Sequence, residues 1–543
     1  RQRDESGNID HQAPATIHVA PPTIKEANGY KHDLTPMEAR LRNVTYEASV
    51  EVDFTLYKED SDGRLVLADP TRNPPYERVE VGKLPIMVKS RGCVLDRANI
   101  EKAEERDITD SEYLQKLINA KEDPRDPGGY FIIGGTERVL ITLEDLAPNR
   151  VMVEYSERYG ARVEVAKVFS QKDGYRALTL VEKKKDGMVM VTVPATTSAI
   201  PIIALMKALG MESDAEICKV ISSNPEMDTI VYANIENSFD KKTYQPNGFH
   251  TTDDAIAFLE RNFAAGQAKE YRIKKVESIL DRSLLPHLGD KKEDRMKKAI
   301  YLGRVARAVL ELSRGERKED DKDHYANKRL KLSGDLMGDL FRTSFSSLMK
   351  DLKYQLERNW GRKREEIRIA STIRPDLLTH KLLHALATGN WVGGRAGVSQ
   401  LLDRTTNMSS MSHLRRVTSS LTRSQPHFEA RDLHSTQWGR LCPSETPEGQ
   451  NCGLVKNLAL ITDVSEGLSD SDLMWMIRDC DLQPVNTPGA ARVYVNGDLK
   501  GSNGNPLKLV SDIREKRRCG LLPYEANIHY DPEMNEVILN SDE

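Results

Sequence analysis

Over residues 395–457 the chain reads RAGVSQLLDRTTNMSSMSHLRRVTSS and then LTRSQPHFEARDLHSTQWGRLCPSETPEGQNCGLVKN. Positions 391–440 hold seven arginines (395, 404, 415, 416, 423, 431 and 440) and no lysine, against Asp403, Glu429 and Asp432 alone. Ser, Thr, Gln, Asn and three histidines (413, 427 and 434) stand between them. A guanidinium is planar and offers several donors in a fixed fork, so this window has the makings of a surface for phosphates and sugar hydroxyls. The whole chain of 543 residues carries a formal charge of -4, which alone argues against nucleic acid. Local charge matters more, because phosphate contacts act within a Debye length of roughly 8 Å.

The rest of the chain predicts an α+β, multidomain protein of mixed sheets and helices, with roughly three to four domains at this length. Residues 44–60 (VTYEASVEVDFTLYKED) alternate apolar and polar as a half-buried strand does. EDSDGR at 59–64 predicts a hairpin turn, since the further acids of a calcium loop are missing. VEVGKLPIMVKS and GGYFIIGGTERVLITLED are further strands, the latter turning at Gly134 and Gly135, where a tight hairpin needs positive φ. Strands continue over 149–168, and RALTLVEKKKDGMVMVTVPA predicts a hairpin at Asp186 and Gly187. From Ile200 the period becomes helical: IPIIALMKALG, then 296–313 with Leu302, Val305, Val309 and Leu312 on one face. LMGDLFRTSFSSLMKDLKYQLERNW and RPDLLTHKLLHALATG follow as helices. Residues 315–331 read as a solvated charged loop and GSNGNP at 501–506 as a turn.

Six scattered cysteines without a C-x-x-C pair exclude a readable zinc site and predict reduced, mostly buried thiols in a cytoplasmic protein. No run of 18 apolar residues predicts a membrane span. The chain opens on Arg1 rather than Met, which predicts that its true N-terminus lies further upstream.

Metal-assisted chemistry on phosphates needs ions held by clustered acids. The nearest run is SDSD at 469–472, which reads as a polar surface turn. Glu445 and Glu448 flank Pro447, which forbids regular helix, so from the residues alone they are turn acids capping neighbouring N–H groups. SHLRR on a helix would set Arg415 and Arg416 about 100° apart. Arg431 can grip a phosphate bidentately while Asp432 holds it in place.

The stretch 395–457 resembles the fork region of the second-largest subunit of multisubunit RNA polymerases, the chain called beta in bacteria. GVSQ (397–400), SHLRR (412–416) and RDLHSTQWGRLCPSETPEGQNCGLVKN (431–457) carry the likeness. GKLPIMVKS (82–90), DPGGYFIIGGTERVLI (126–141), DHYANKRL (323–330) and ALATGNW (385–391) extend it, in the family's order, over nearly the whole chain. The chain most resembles the N-terminal half (B″) of the subunit that some archaea encode as two polypeptides. A truncated full-length archaeal or eukaryotic subunit is the alternative.

The resemblance implies DNA-directed RNA polymerase, a nucleotidyltransferase active only as a multisubunit complex. It implies a protrusion (1–150 and 319–385), a lobe (151–318), a fork (386–460) and an incomplete external domain (461–543). The implied partners are the largest subunit, the C-terminal half of the second-largest subunit, smaller polymerase subunits, DNA template and RNA transcript, with no membrane. Magnesium would be held by aspartates of the largest subunit, so this chain binds no cofactor and positions rather than catalyses. The implied nucleic-acid contacts are Gln400, Arg404, His413, Arg415, Arg416, Arg431, Glu448, Asn451, Lys328 and Arg329, supported by Asp403, Asp432 and Glu445. Gln400 would meet the RNA strand, Glu448 and Asn451 the neighbourhood of its 3′ end, and Arg431 the downstream DNA and incoming nucleotide. Gln450 stands where bacterial chains usually have proline, and Arg404, Thr406 and Leu414 also depart from the bacterial pattern. Two readings from other classes are a stand-alone nucleic-acid-binding protein and a scaffold whose arginines make ion pairs between proteins.

Overall fold

The computed structural model describes residues 16–541 except 60–64, 68–75, 159, 173, 195, 197, 223, 239–248, 264–265, 267, 362–367, 486, 488 and 533. The chain folds into two compact units, each made of two separated stretches. The first comprises Arg1–Asp145 with Leu330–Leu460, the second Leu146–Arg329 with Ile461–Glu543. Both mix sheets and helices, as an α+β chain should. Among the described residues no helix is long and apolar enough to cross a membrane.

In the first unit, Glu47–Phe54 pairs antiparallel with Ile17–Val19 on one side and Glu77–Pro85 on the other. The turn expected at 59–64 lies, from residue 60 on, outside the described residues, but its flanks Tyr57–Glu59 and Leu65–Leu67 pair antiparallel. The helices Ser333–Gly361 and Pro375–Thr388 pack against this sheet, joining Leu336, Leu340, Leu378 and Leu382 to Val50, Val79 and Val81. Full burial of each such side chain is worth about 2 kcal/mol. Pro375 starts the second helix at a position that needs no N–H, and Gly389, at φ +77, stops it.

Seven elements of this unit frame the arginine-rich segment. Strand β1 (Phe131–Ile133) turns at Gly134 and Gly135, φ +56 and +78, into β2 (Thr136–Leu140), the positive-φ hairpin expected there. Strand β3 (Thr142–Leu146) follows. Then come β4 (Ser399–Leu401), α1 (Asn407–Leu414), β5 (Arg416–Ser419) and β6 (Val455–Asn457). β4 extends the hairpin sheet by pairing antiparallel with β2. β5 runs parallel to β3 and antiparallel to β6. The fourth strand of that second sheet, Lys328–Lys331, lies where the chain returns from the second unit.

In the second unit, an antiparallel sheet runs in chain order from Val151–Arg158 through Ala161–Lys172, Tyr175–Lys183 and Val189–Thr192 to Ile200–Pro201. The helix Arg295–Arg314 buries Leu302, Val305, Val309 and Leu312, the face read from its period, and ends at Gly315 in the left-handed region. Tyr494 and Leu499, from the late stretch, enter the same core.

Several expectations are corrected. The charged loop ends in a strand at Lys328–Lys331 rather than staying irregular to residue 331. GSNGNP is no single turn: Asp498–Asn503 is a strand, and Asn505 caps the helix Pro506–Arg518. SDSD opens the helix Asp470–Met476, with Ser469 as its N-cap. All six cysteines are free, but Cys93 and Cys218 alone are buried, while Cys452 and Cys519 are exposed.

Candidate nucleic-acid interface

The arginine pair of SHLRR does not sit on a helix. Helix α1 ends at Leu414, Arg415 is its C-cap, and Arg416 begins β5. The β-branched Val417 and Thr418 suit a strand, and ladders on both sides hold it, so tertiary pairing overrides the helical continuation. Arg415 donates to the Ala459 carbonyl, and its own carbonyl accepts from Leu458 N. Arg416 lies opposite Asn457 in the ladder. The Nε atoms of both arginines are buried without a hydrogen-bond partner among the described residues.

Gln400, in β4, is opposite Val139 of β2. Its side-chain Nε2 donates to the Gly397 carbonyl at 3.0 Å, and its Oε1 lies 3.0 Å from His413 Nε2. His413 is 4% exposed. Its Nδ1 accepts from the Asp403 backbone N–H at 3.2 Å, so the ring is neutral with its proton on Nε2. Burial and the Arg416 charge press the His413 pKa below 6.5, against the opposing pull of Asp403. Asp403 itself accepts from Thr405 N at 2.9 Å, which with the Thr405 hydroxyl lowers its pKa.

Arg404 is engaged within the protein. It contacts Glu137 at 2.6 and 3.0 Å and Asp126 at 3.0 Å, and lies 4.9 Å from the centroid of the Tyr130 ring. Arg40 reaches the same cluster through Glu137 (2.8 Å), both oxygens of Glu122 (3.0 Å each) and the Tyr130 hydroxyl (2.6 Å). Burial pulls Glu137 upward, but the two guanidiniums outweigh it and hold the carboxyl below its ordinary range. Arg395 likewise meets Asp145 at 2.8 Å. No short motif announced this network, because its bonded partners lie up to 278 positions apart.

Arg431 is a staple. Its guanidinium donates to the carbonyls of Pro426 (2.7 Å), Gln450 and Cys452 (2.8 Å each), Arg423 (3.4 Å) and Gln425 (3.5 Å). It thereby ties residues 423–426 to 450–452, while the exposed Asp432 caps the short helix Phe428–Arg431 through its backbone N–H. Thr446 closes the neighbouring turn, accepting from Gly453 N and donating to the Val455 carbonyl. Glu445 receives the Ser412 hydroxyl, and its carbonyl accepts from Asn457 Nδ2 at 3.4 Å. Glu448 is exposed and makes no side-chain capping bond, which corrects the reading of it as a capping acid. Asn451 Oδ1 is buried without a hydrogen-bond partner among the described residues.

The fold thus brings Gln400, Asp403 and His413 into one cluster, while Arg416 and Glu445 each adjoin Asn457, the one across the ladder and the other through its carbonyl. Residues 13–380 match the family described as RNA polymerase beta subunit. The chain belongs to that family. Residues 400–464 and 493–543 match RNA polymerase Rpb2, domains 3 and 4. The chain is 48% identical over 458 residues to DNA-directed RNA polymerase subunit Rpo2N of Halobacterium salinarum, covering 84% of this chain and 82% of that protein. Rpo2N of Methanococcus vannielii is 47% identical over 466 residues, covering 86% and 88%. Subunit Rpo2 of Saccharolobus solfataricus is 42% identical over 563 residues, covering 99% of this chain and 47% of that one. The match is to the N-terminal half of the second-largest subunit, and the chain is a DNA-directed RNA polymerase subunit.

Lys328 and Arg329 belong to the second unit. Lys328 pairs with Asp323 at 3.1 Å above the Tyr325 ring, and Arg329 donates to the Ala326 and Lys328 carbonyls at 2.8 Å. Among the described residues, the one group of three acids or histidines close enough for a shared metal is Glu26, His32 and Glu38. Arg42 sits on both carboxylates, so this group does not fit the aspartate cluster that a polymerase needs for magnesium. Lys456, absent from the sequence reading, is a buried partner of Glu144 at 3.1 and 3.2 Å.

Proposed function

We propose that this chain helps form the active-centre cleft of RNA polymerase and holds the RNA–DNA hybrid and downstream DNA during template-directed synthesis. In this reading the protrusion (1–150 and 319–385) draws on the first unit and, at 146–150 and 319–329, on the second; the fork (386–460) belongs to the first, and the lobe (151–318) and part of the external domain (461–543) to the second. Chemistry belongs to the assembled cytoplasmic complex, in which the largest subunit's aspartates hold magnesium. The C-terminal half of the second-largest subunit and smaller subunits complete it. An A-form hybrid must be gripped without reading sequence, through phosphates and 2′-hydroxyls. Aligning the RNA end in this way is positioning rather than bond-making.

One observation supports the reading above the others. Arg416 is half-buried, its Nε has no hydrogen-bond partner among the described residues, and the β5–β6 ladder fixes it beside Asn457. Its Nε is closed to solvent, so the cost of holding the guanidinium half-buried is offset where an anion reaches the Nη groups. Arg395, Arg404 and Arg431 favour a structural share of the work, since carboxylates or carbonyls of the same chain engage them.

The test is reconstitution with the largest subunit and the C-terminal partner, followed by magnesium-dependent primer extension at graded salt. Arg416→Ala should weaken retention of the transcript and flatten the log–log salt slope by roughly 0.9, the value of one phosphate contact. Arg431→Ala should slow extension while assembly persists and the slope stays unchanged. Unaltered retention and slope in Arg416→Ala would refute the fork contact.

A further inference from the structure

We propose that His413 is a positioning residue that locks the side-chain amide of Gln400, leaving one Gln400 N–H as a donor for oxygen atoms of the transcript. This rests on the reading above, in which Gln400 meets the RNA strand. An amide alone can turn over and exchange its oxygen for its nitrogen. Here two contacts forbid the exchange. The Asp403 N–H, 3.2 Å from His413 Nδ1, requires a lone pair there, so the ring proton is on Nε2 and is donated to Gln400 Oε1 at 3.0 Å. The Gly397 carbonyl, 3.0 Å from Gln400 Nε2, requires an N–H. Reversing the amide would set donor against donor at His413 and carbonyl against carbonyl at Gly397.

The ring is held in turn by a built support. Leu402 N–H donates to the Glu137 carbonyl at 3.0 Å, Ser410 Oγ donates to the Asp403 carbonyl at 2.5 Å, and Arg404 anchors the same loop to Asp126 and Glu137. The acidic cluster around Tyr130 therefore sets Asp403, Asp403 sets the His413 tautomer, and His413 sets Gln400. Of the two Gln400 N–H groups, one is given to Gly397 and, among the described residues, the other meets no acceptor. A lone N–H donor suits a phosphate oxygen, a ribose 2′ oxygen or a base carbonyl, and it makes no distinction of sequence.

The decisive experiment follows transcript release from halted complexes of the reconstituted polymerase. Gln400→Ala should hasten release about fivefold, the effect of one net hydrogen bond. His413→Asn keeps an oxygen for the Asp403 N–H but loses the donor to Gln400, and should match Gln400→Ala. The double variant should release no faster than Gln400→Ala alone. His413→Gln, whose longer amide can still donate to Gln400, should stay within about twofold of the parent. Parent-like release in His413→Asn, or a double effect equal to the product of the singles, would overturn the positioning role and leave Gln400's own contact standing. Parent-like release in Gln400→Ala would overturn that contact and this proposal together. Should His413→Asn not assemble, release from His413→Gln as fast as from Gln400→Ala overturns the proposal.

Discussion

Removing Lys456 should loosen the strand that carries Arg416. Lys456 in β6 and Glu144 in β3 lie on the two strands flanking β5, and their side chains meet at 3.1 and 3.2 Å. Their side chains are 8% and 4% exposed, so neither charge can turn to water when its partner goes. Lys456→Met leaves the Glu144 carboxylate buried, a cost of about 3–5 kcal/mol. Glu144→Leu leaves the ammonium and should cost about the same. Replacing both removes two desolvation penalties together, so the double variant should lie within about 1 kcal/mol of the parent. Hydrogen exchange at the amides of Val417, Thr418 and Ser419 in the assembled enzyme reads this directly. Each single variant should raise the opening equilibrium by about a hundredfold or more, and the double variant should restore it. Single effects below about fivefold, or a double effect equal to their sum in free energy, would refute the clamp across β5.

Two further outcomes test other parts of the structure. A Cβ on Gly453, whose φ is +73, would lie 2.4 Å from the Arg431 carbonyl oxygen and 2.6 Å from its Cα. Gly453→Ala should therefore release the staple, at about 2 kcal/mol or more, and expose 423–431 to limited proteolysis, with extension slowed as in Arg431→Ala; an unchanged digest would oppose this. In the second unit, His287 is bonded to Ser170 Oγ at 2.7 Å, and burial, with Lys298 next, presses its pKa from 6.5 to about 3. The unfolded chain then binds the extra proton first, so stability is full above pH 6.5 and falls as acid is added. By pH 5 His287 alone should account for about 2 kcal/mol, read as the difference in urea stability between the parent and His287→Gln. A difference that does not vary between pH 7 and 5 would contradict the neutral buried ring.

Local chemistry made much of this fold readable along the chain. Gly134 and Gly135 tolerate positive φ, so the β1–β2 hairpin follows from two adjacent residues. Leu302, Val305, Val309 and Leu312 repeat at helical spacing, so the buried face of Arg295–Arg314 could be drawn before the helix was seen. The end of SHLRR leaves the helix for a physical reason. Its residues can continue a helix, but pairing with β3 and β6 offers Arg416–Ser419 two ladders, and no local signal reports a partner strand at residue 142 or 455.

The family, too, was legible in the string, because RDLHSTQWGRLCPSETPEGQNCGLVKN and its companions are contiguous and ordered. The seven arginines were visible as a group for the same reason. Their separate duties were not. Arg404 is held by Asp126 and Glu137, Arg431 by carbonyls from two loops, and Arg416 keeps a buried Nε without a hydrogen-bond partner among the described residues. A guanidinium reads alike in every position of a sequence. Whether it is held by its own chain or left for a ligand depends on which distant carboxylates and carbonyls folding brings within about 3 Å, and that is decided by tertiary structure alone.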